Sequence, residues 1–121
     1  MGEELTARLL RFIEKSPSSF HVVESICREL TGYTLLSEGE PWSLQPGGRY
    51  YVKRSGSALM AFRIPEEPWR GFLLAASHSD SPTFSLKENA QLAGPENYLR
   101  LDVEGYGGML CASWLDRPLT V

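Results

Sequence analysis

His78 and Asp80 are the two residues whose types and spacing could do chemistry in this sequence. They lie in the stretch LLAASHSDSPTFSL, residues 73–86, directly after an apolar run. In an extended chain residues i and i+2 point to the same side, so the imidazole and the carboxylate would project together. A neutral imidazole can bind zinc while a nearby carboxylate fixes its tautomer. Spacing alone favours a hydrogen-bonded structural histidine and leaves the metal site open.

A second kind of chemistry would use the serines around the histidine. Ser77, Ser79 and Ser81 could each act as the nucleophile of a Ser-His-Asp hydrolase. The chain lacks the Gly-x-Ser-x-Gly elbow that exposes the serine of common α/β hydrolases, which disfavours this alternative. His21 is the only other histidine. It falls near the start of a predicted helix, where we interpret it as a capping or surface residue.

Two amphipathic helices are predicted at the beginning of the chain. The first carries apolar residues at i, i+4, i+7 and i+8 and ends at Ser16-Pro17, because proline disfavours the helical conformation in the residue before it. The second is capped by Ser18-Ser19 and ends at Gly32, which favours a left-handed turn. Their apolar faces are Leu5, Leu9, Phe12 and Ile13 in the first helix and Phe20, Val23, Cys27 and Leu30 in the second.

A mixed sheet of five or six strands is predicted to follow, so that the fold class is α/β. The gap Ser55-Gly56-Ser57 indicates a hairpin between residues 50–54 and 58–64. The apolar run at residues 72–77 is typical of a central strand covered on both faces, with His78 at its carboxyl end, where open α/β sheets bind ligands. Further strands are predicted at 33–36, half-buried around Phe84 and Leu86 and over Leu99, Leu101 and Val103, and starting at Pro118-Leu119-Thr120-Val121.

The composition indicates one globular domain and excludes several classes of partner. The chain has 121 residues, a net charge of −3 and no basic run, so we expect no nucleic-acid partner. No segment reaches the roughly eighteen apolar residues of a membrane span, and the acidic start is unlike a signal peptide, so we expect a cytoplasmic protein. Cys27 and Cys111 are far apart in sequence, and we interpret both as buried small apolar residues.

Four stretches in order along the chain resemble one protein family. These are SPSSFHVVE at 16–24, GGRYYVKRSGSALMAFRI at 47–64, SHSDSPTFSLK at 77–87 and GYGGMLCASWLDRPLT at 105–120. They look like successive motifs of the aspartyl aminopeptidase family of zinc metallopeptidases. The resemblance implies a cytosolic, oligomeric exopeptidase that removes N-terminal, often acidic, residues from peptides with two zinc ions. By the same resemblance, the α/β catalytic domain carries an inserted second domain.

The same resemblance assigns roles to the residues of the His-x-Asp motif. His78 corresponds to a zinc ligand and Asp80 to the neighbouring catalytic aspartate. No ligand role is carried over to Asp116, which we expect to form an ion pair or strand-end hydrogen bonds together with Arg117; a part in shaping the substrate pocket is the less favoured alternative. The family's other acidic ligands, its glutamate base and its final histidine belong to later motifs that this sequence does not contain.

The sequence is therefore interpreted as the N-terminal portion of a peptidase. Residues 1–121 would form the incomplete front part of one dinuclear-zinc aminopeptidase catalytic domain and end near the expected domain insertion. A catalytic zinc needs about three protein ligands, so we expect the isolated chain to retain no metal and to be inactive. The alternative is a non-catalytic binding or assembly module derived from the peptidase fold.

Overall fold

The computed structural model describes residues 2–119 and divides into two compact units. One unit comprises the residues up to Asp80 and the other begins at Ser81. The elements in chain order are the helices α1 (Gly2–Glu14) and α2 (Ser19–Glu29), the strands β1 (Thr34–Leu36), β2 (Arg49–Arg54), β3 (Ala58–Arg63), β4 (Thr83–Ala93) and β5 (Leu99–Tyr106), and a 3-10 turn at Cys111–Ser113.

Both predicted helices are present, and their ends follow the expected local rules. Helix α1 ends at Glu14, shortly before Pro17. Ser18 precedes α2 in an extended conformation, as the N-terminal cap residue of a helix does. Gly32 follows α2 with a φ of 77°, which glycine adopts without steric cost. Within residues 2–119, no helix has the length and apolar character that crossing a membrane requires.

The first unit contains a three-stranded mixed sheet in the order β1-β2-β3. Strand β1 runs parallel to β2, and β2 pairs antiparallel with β3 from Arg49↔Arg63 to Arg54↔Ala58. The connecting turn has positive φ values of 51° at Ser55 and 72° at Gly56, as a type I′ turn requires. The hairpin predicted from Ser55-Gly56-Ser57 is therefore confirmed.

The buried core of the first unit lies where α2 meets the mixed sheet. Val23 on α2 and Tyr50 and Val52 on β2 are the buried apolar residues, and α2 packs against β3. The ring of Tyr50 lies 5.7 Å from that of Phe62, and its hydroxyl accepts a hydrogen bond of 2.9 Å from the backbone N–H of Gln45. This core supports the β2–β3 hairpin.

The second unit is built on the antiparallel pair of β4 and β5. The pairing runs from Thr83↔Tyr106 to Ala93↔Leu99, with a register shift between Leu86 and Gln91. The ring of Phe84 packs edge-on against that of Trp114, with ring centroids 5.5 Å apart. Two strands form here as predicted, and β5 ends beside Gly107, whose φ is 86°.

The apolar run at residues 72–77 does not form the predicted central strand. Residues 64–82 contain no strand, and Phe72, Leu73 and Leu74 are almost fully exposed. A central strand needs neighbouring strands for its backbone hydrogen bonds and other elements to cover its faces. Residues 2–119 supply neither, so the prediction is wrong for this structure, and His78 lies on the connection between β3 and β4.

One smaller expectation also fails in the second unit, and another is only partly covered by the described residues. Leu99 and Leu101 lie on a strand as predicted, but they are exposed rather than half-buried, because a two-stranded pair has no further layer to cover it. Pro118 and Leu119 are not in a strand, and Thr120 and Val121, the rest of that predicted strand, lie outside the described residues.

Candidate functional site

The predicted pair of His78 and Asp80 comes together in the structure. The chain bends at Ser79, and the Nδ1 atom of His78 lies 3.0 Å from Oδ1 of Asp80. An ionised carboxylate only accepts, so Nδ1–H donates this hydrogen bond. The side chain of His78 is 92 % exposed and that of Asp80 is 38 % exposed. The imidazole therefore projects into solvent while the carboxylate holds one of its two nitrogens.

This geometry is compatible with metal binding by the histidine. With the proton on Nδ1, the lone pair of Nε2 is available to a cation. A zinc ion needs further ligands, and residues 2–119 contain no group of three or more His, Cys, Asp or Glu side chains that could hold one. The pair fits one ligand and its orienting carboxylate, and it does not complete a zinc site by itself.

Ser79 anchors the segment between the two candidate residues. Its hydroxyl donates a hydrogen bond of 2.8 Å to the backbone carbonyl of Ser57, which follows the β2–β3 turn. The sequence interpretation considered Ser77, Ser79 and Ser81 as nucleophiles and missed this structural role. The Ser79 hydroxyl bonds to the Ser57 carbonyl rather than to the imidazole, so Ser79 is not placed as the nucleophile of the Ser-His-Asp alternative.

His21 lies far from these residues in sequence, on the first turn of α2. It is exposed, and its Nδ1 atom lies 2.8 Å from the hydroxyl oxygen of Ser18. Ser18 occupies the cap position through its backbone, but its side chain makes no hydrogen bond to a backbone N–H of the helix. The interpretation of His21 as a surface residue at the helix start is therefore confirmed.

Asp116 and Arg117 form the expected ion pair. The Nε atom of Arg117 lies 3.2 Å from Oδ1 of Asp116, and both side chains are mostly exposed. An ion pair so open to solvent contributes between zero and about 1 kcal/mol. The contact gives Asp116 a structural partner, and Asp116 belongs to the second unit, whereas His78 and Asp80 belong to the first.

Two pKa values in the first unit are shifted by their surroundings. Lys53 donates a hydrogen bond of 3.1 Å to Glu24, and this bond, together with the carboxylate charge, raises the pKa of Lys53. Burial raises the pKa of the Cys27 thiol, which keeps it in the less reactive protonated form. Cys111 is exposed and Cys27 is only half-buried, so the expectation of two buried cysteines is wrong for Cys111 and only partly met for Cys27.

The fold of the chain matches the folds of solved aminopeptidases. The structure of Chaetomium thermophilum mApe1 gives a TM-score of 0.87 and 34% identity, covering 97% of this chain and 28% of that one. Yeast aminopeptidase 1 gives a TM-score of 0.78 and 33% identity, covering 95% of this chain and 28% of that one. These similarities place the chain in the class of aminopeptidase folds.

Sequence comparisons define the family within that class. The family model of the aminopeptidase I zinc metalloproteases (M18) matches residues 12–121. A probable M18 family aminopeptidase 2 of Clostridium novyi is 40% identical over 93% of this chain, and one of Pseudomonas aeruginosa is 42% identical over all of it. The chain belongs to the M18 family of zinc aminopeptidases. It spans 27% of the length of the first relative and 29% of the second.

Proposed function

We propose that this chain contributes the first metal-ligand segment of a zinc aminopeptidase that removes N-terminal residues from peptides. The observation that carries the proposal is the His78–Asp80 hydrogen bond, in a chain that belongs to a zinc metalloprotease family. In this function, Nε2 of His78 binds zinc. Asp80 is the catalytic carboxylate that keeps the imidazole in the correct tautomer and orientation.

The proposed reaction is hydrolysis of the first peptide bond of a substrate. Bound zinc, two ions in the complete site, supplies a Lewis acid and lowers the pKa of water. The residues of this chain hold the ligand in place, because Asp80 accepts the Nδ1 proton and leaves Nε2 directed at solvent. The remaining ligands would come from protein outside residues 2–119. We therefore expect the 121-residue chain to be inactive alone.

The substrate, assembly and location of the whole protein are part of the same proposal. We expect a preference for acidic N-terminal residues and a cytoplasmic location, both of which the family resemblance implies. A homo-oligomer is supported by the solved structure of a yeast mApe1 dodecamer, which is 33% identical to this chain. Uncovered apolar residues on α1, such as Leu9 and Ile13, are further surface for contacts with other protein.

A non-catalytic binding or assembly module is the second candidate. It is favoured by the lack, within residues 2–119, of a group of three or more His, Cys, Asp or Glu side chains that could hold a metal. Such a module would be a monodisperse species with a cooperative melt. A segment of a longer catalytic domain would self-associate through its exposed apolar residues, for example at 72–74. Sedimentation and thermal denaturation of the 121-residue chain distinguish the two.

A chimeric enzyme tests the catalytic proposal directly. This chain would replace the matching segment of the Clostridium novyi relative, to which it is 40% identical. We expect the chimera to hydrolyse aspartyl and leucyl p-nitroanilides, the former faster. His78→Ala should lower kcat/KM by at least about 100-fold and Asp80→Asn by about 10- to 100-fold, with less zinc retained. His21→Ala is the matched control and should leave kcat/KM unchanged.

Two results would contradict the proposal. An active chimera that is insensitive to His78→Ala would show that this histidine is not a zinc ligand. Substantial turnover by the isolated 121-residue chain with added zinc would show that the site does not depend on further ligands. The first result would withdraw the role assigned to His78, and the second would withdraw the expectation that the isolated chain is inactive.

A further inference from the structure

Ser79 separates the two candidate site residues, and its surroundings differ from theirs. Of residues 71–80, it is the only one that is not exposed, and the chain bends at its position. Its hydroxyl donates the 2.8 Å hydrogen bond to the carbonyl oxygen of Ser57, which is 22 residues earlier in the sequence. The side chain of Ser79 therefore ties the bend to the β2–β3 hairpin, while the imidazole of His78 projects into solvent.

The acceptor of this hydrogen bond belongs to a well-defined turn. The N–H of Ser57 donates to the carbonyl of Arg54, and strand pairing resumes only at Ala58. On its other side, the turn approaches α2, since a Cβ added to Gly56 would lie 3.3 Å from Cδ1 of Phe20. The turn and the helix together fix the carbonyl to which Ser79 bonds.

We propose that Ser79 is a positioning residue for the metal-ligand pair. Its hydrogen bond to Ser57 holds the bend in one conformation, and that conformation brings Nδ1 of His78 within hydrogen-bond distance of Asp80. Without the hydroxyl, the segment samples other backbone conformations, and the imidazole loses its fixed tautomer and direction. This inference rests on the proposed function, because orienting the imidazole contributes to activity only if His78 is a zinc ligand.

The test is nuclear magnetic resonance of the ¹⁵N-labelled 121-residue chain without metal, at a protein concentration where sedimentation shows a monomer. The sequence has only two histidines, so the ring signals of His78 and His21 can be assigned by comparing the spectrum of the chain with that of His21→Ala. The variants are Ser79→Ala, which removes the hydroxyl, Ser79→Thr, which keeps it, and Ser77→Ala, which removes a neighbouring exposed hydroxyl. The measurements are the Nδ1–H to Nε2–H tautomer ratio of each histidine and the backbone order parameters of residues 78–80.

We expect wild-type order parameters near 0.85 for residues 78–80 and values below about 0.6 in Ser79→Ala. The ratio of the Nδ1–H to the Nε2–H tautomer of His78 should fall about fivefold. This is the factor by which losing one hydrogen bond, here from Nδ1–H to Asp80, typically shifts an equilibrium. Ser79→Thr should restore both quantities, Ser77→Ala should change neither, and the signals of His21 should stay constant. A merely structural role would lower the melting temperature without this selective change at His78.

Three results would overturn the inference. These are a wild-type segment that is already flexible, an unchanged His78 tautomer in Ser79→Ala, and equal losses in Ser79→Ala and Ser79→Thr, since the effect would then not follow the hydroxyl. The proposed function fails by a different measurement, the activity of the chimera. The two failures are therefore distinguishable.

Discussion

Replacing Val23 by alanine should remove a large part of the stability of the first unit. Val23 is 1% exposed, the lowest value among the three buried apolar residues. The substitution removes two methyl groups, and each buried carbon contributes about 0.8 kcal/mol by transfer from water. The cavity left behind adds to this loss, so we expect the free energy of unfolding to fall by about 2 to 2.5 kcal/mol.

The assay is urea denaturation of the 121-residue chain followed by far-ultraviolet circular dichroism. Leu10→Ala is the matched control, because it removes three carbons from the neighbouring helix α1 at a side chain that is 60% exposed. This control should change the free energy of unfolding by less than about 0.5 kcal/mol. Burial, rather than the number of carbons removed, then accounts for the difference between the variants.

A loss below about 0.5 kcal/mol for Val23→Ala would refute this reasoning. So would an equal loss in Leu10→Ala. The second result would mean that burial does not decide the size of the loss, and the first that α2 does not pack on the sheet as described. The support that α2 gives to the turn at Ser57, through Phe20 and Gly56, would then also be in doubt.

Three further predictions concern single residues of the chain. Gly56→Ala should destabilise the chain by about 1 to 2 kcal/mol in thermal denaturation, because its φ is 72° and the added Cβ would crowd Phe20; no change in melting temperature would contradict this. Iodoacetamide should modify Cys111 much faster than Cys27, whose pKa burial raises, and urea should equalise the two rates. The pKa of Lys53, measured by nuclear magnetic resonance, should exceed its ordinary value near 10.5 and should return to it in Glu24→Gln. Since folding raises this pKa, the stability from the pair is complete below about pH 10.5 and is lost as the pH rises through the folded value; the reverse trend would be inconsistent with the hydrogen bond.

The helices and the hairpin could be predicted because their signals are local. The apolar spacing and Pro17 define α1, and Gly32 marks the turn after α2. Ser55 and Gly56 adopt the positive φ values that a tight hairpin turn needs. In each case the deciding interactions lie within a few residues along the chain, so the sequence carries them directly.

The central strand could not be predicted correctly from the same kind of signal. The apolar run at residues 72–77 indicates that these side chains suit a buried environment. It does not indicate whether neighbouring strands and covering layers are present. Among residues 2–119 they are not, and Phe72, Leu73 and Leu74 stay in solvent. Hydrophobic pattern reports a requirement for burial, and only the tertiary structure shows whether it is met.

By itself, the sequence determined the order of helices and hairpin, the family resemblance and the choice of His78 and Asp80 as candidate site residues. Only the tertiary structure showed the parallel pairing of β1 with β2 and the hydrogen bond from Ser79 to Ser57 across 22 residues. It also showed that the chain bends where an extended segment was expected, and that this bend brings Nδ1 of His78 to the Asp80 carboxylate. The physical reason is that the β1–β2 pairing and the Ser79–Ser57 hydrogen bond join segments far apart along the chain, and their closure depends on packing that no local pattern encodes.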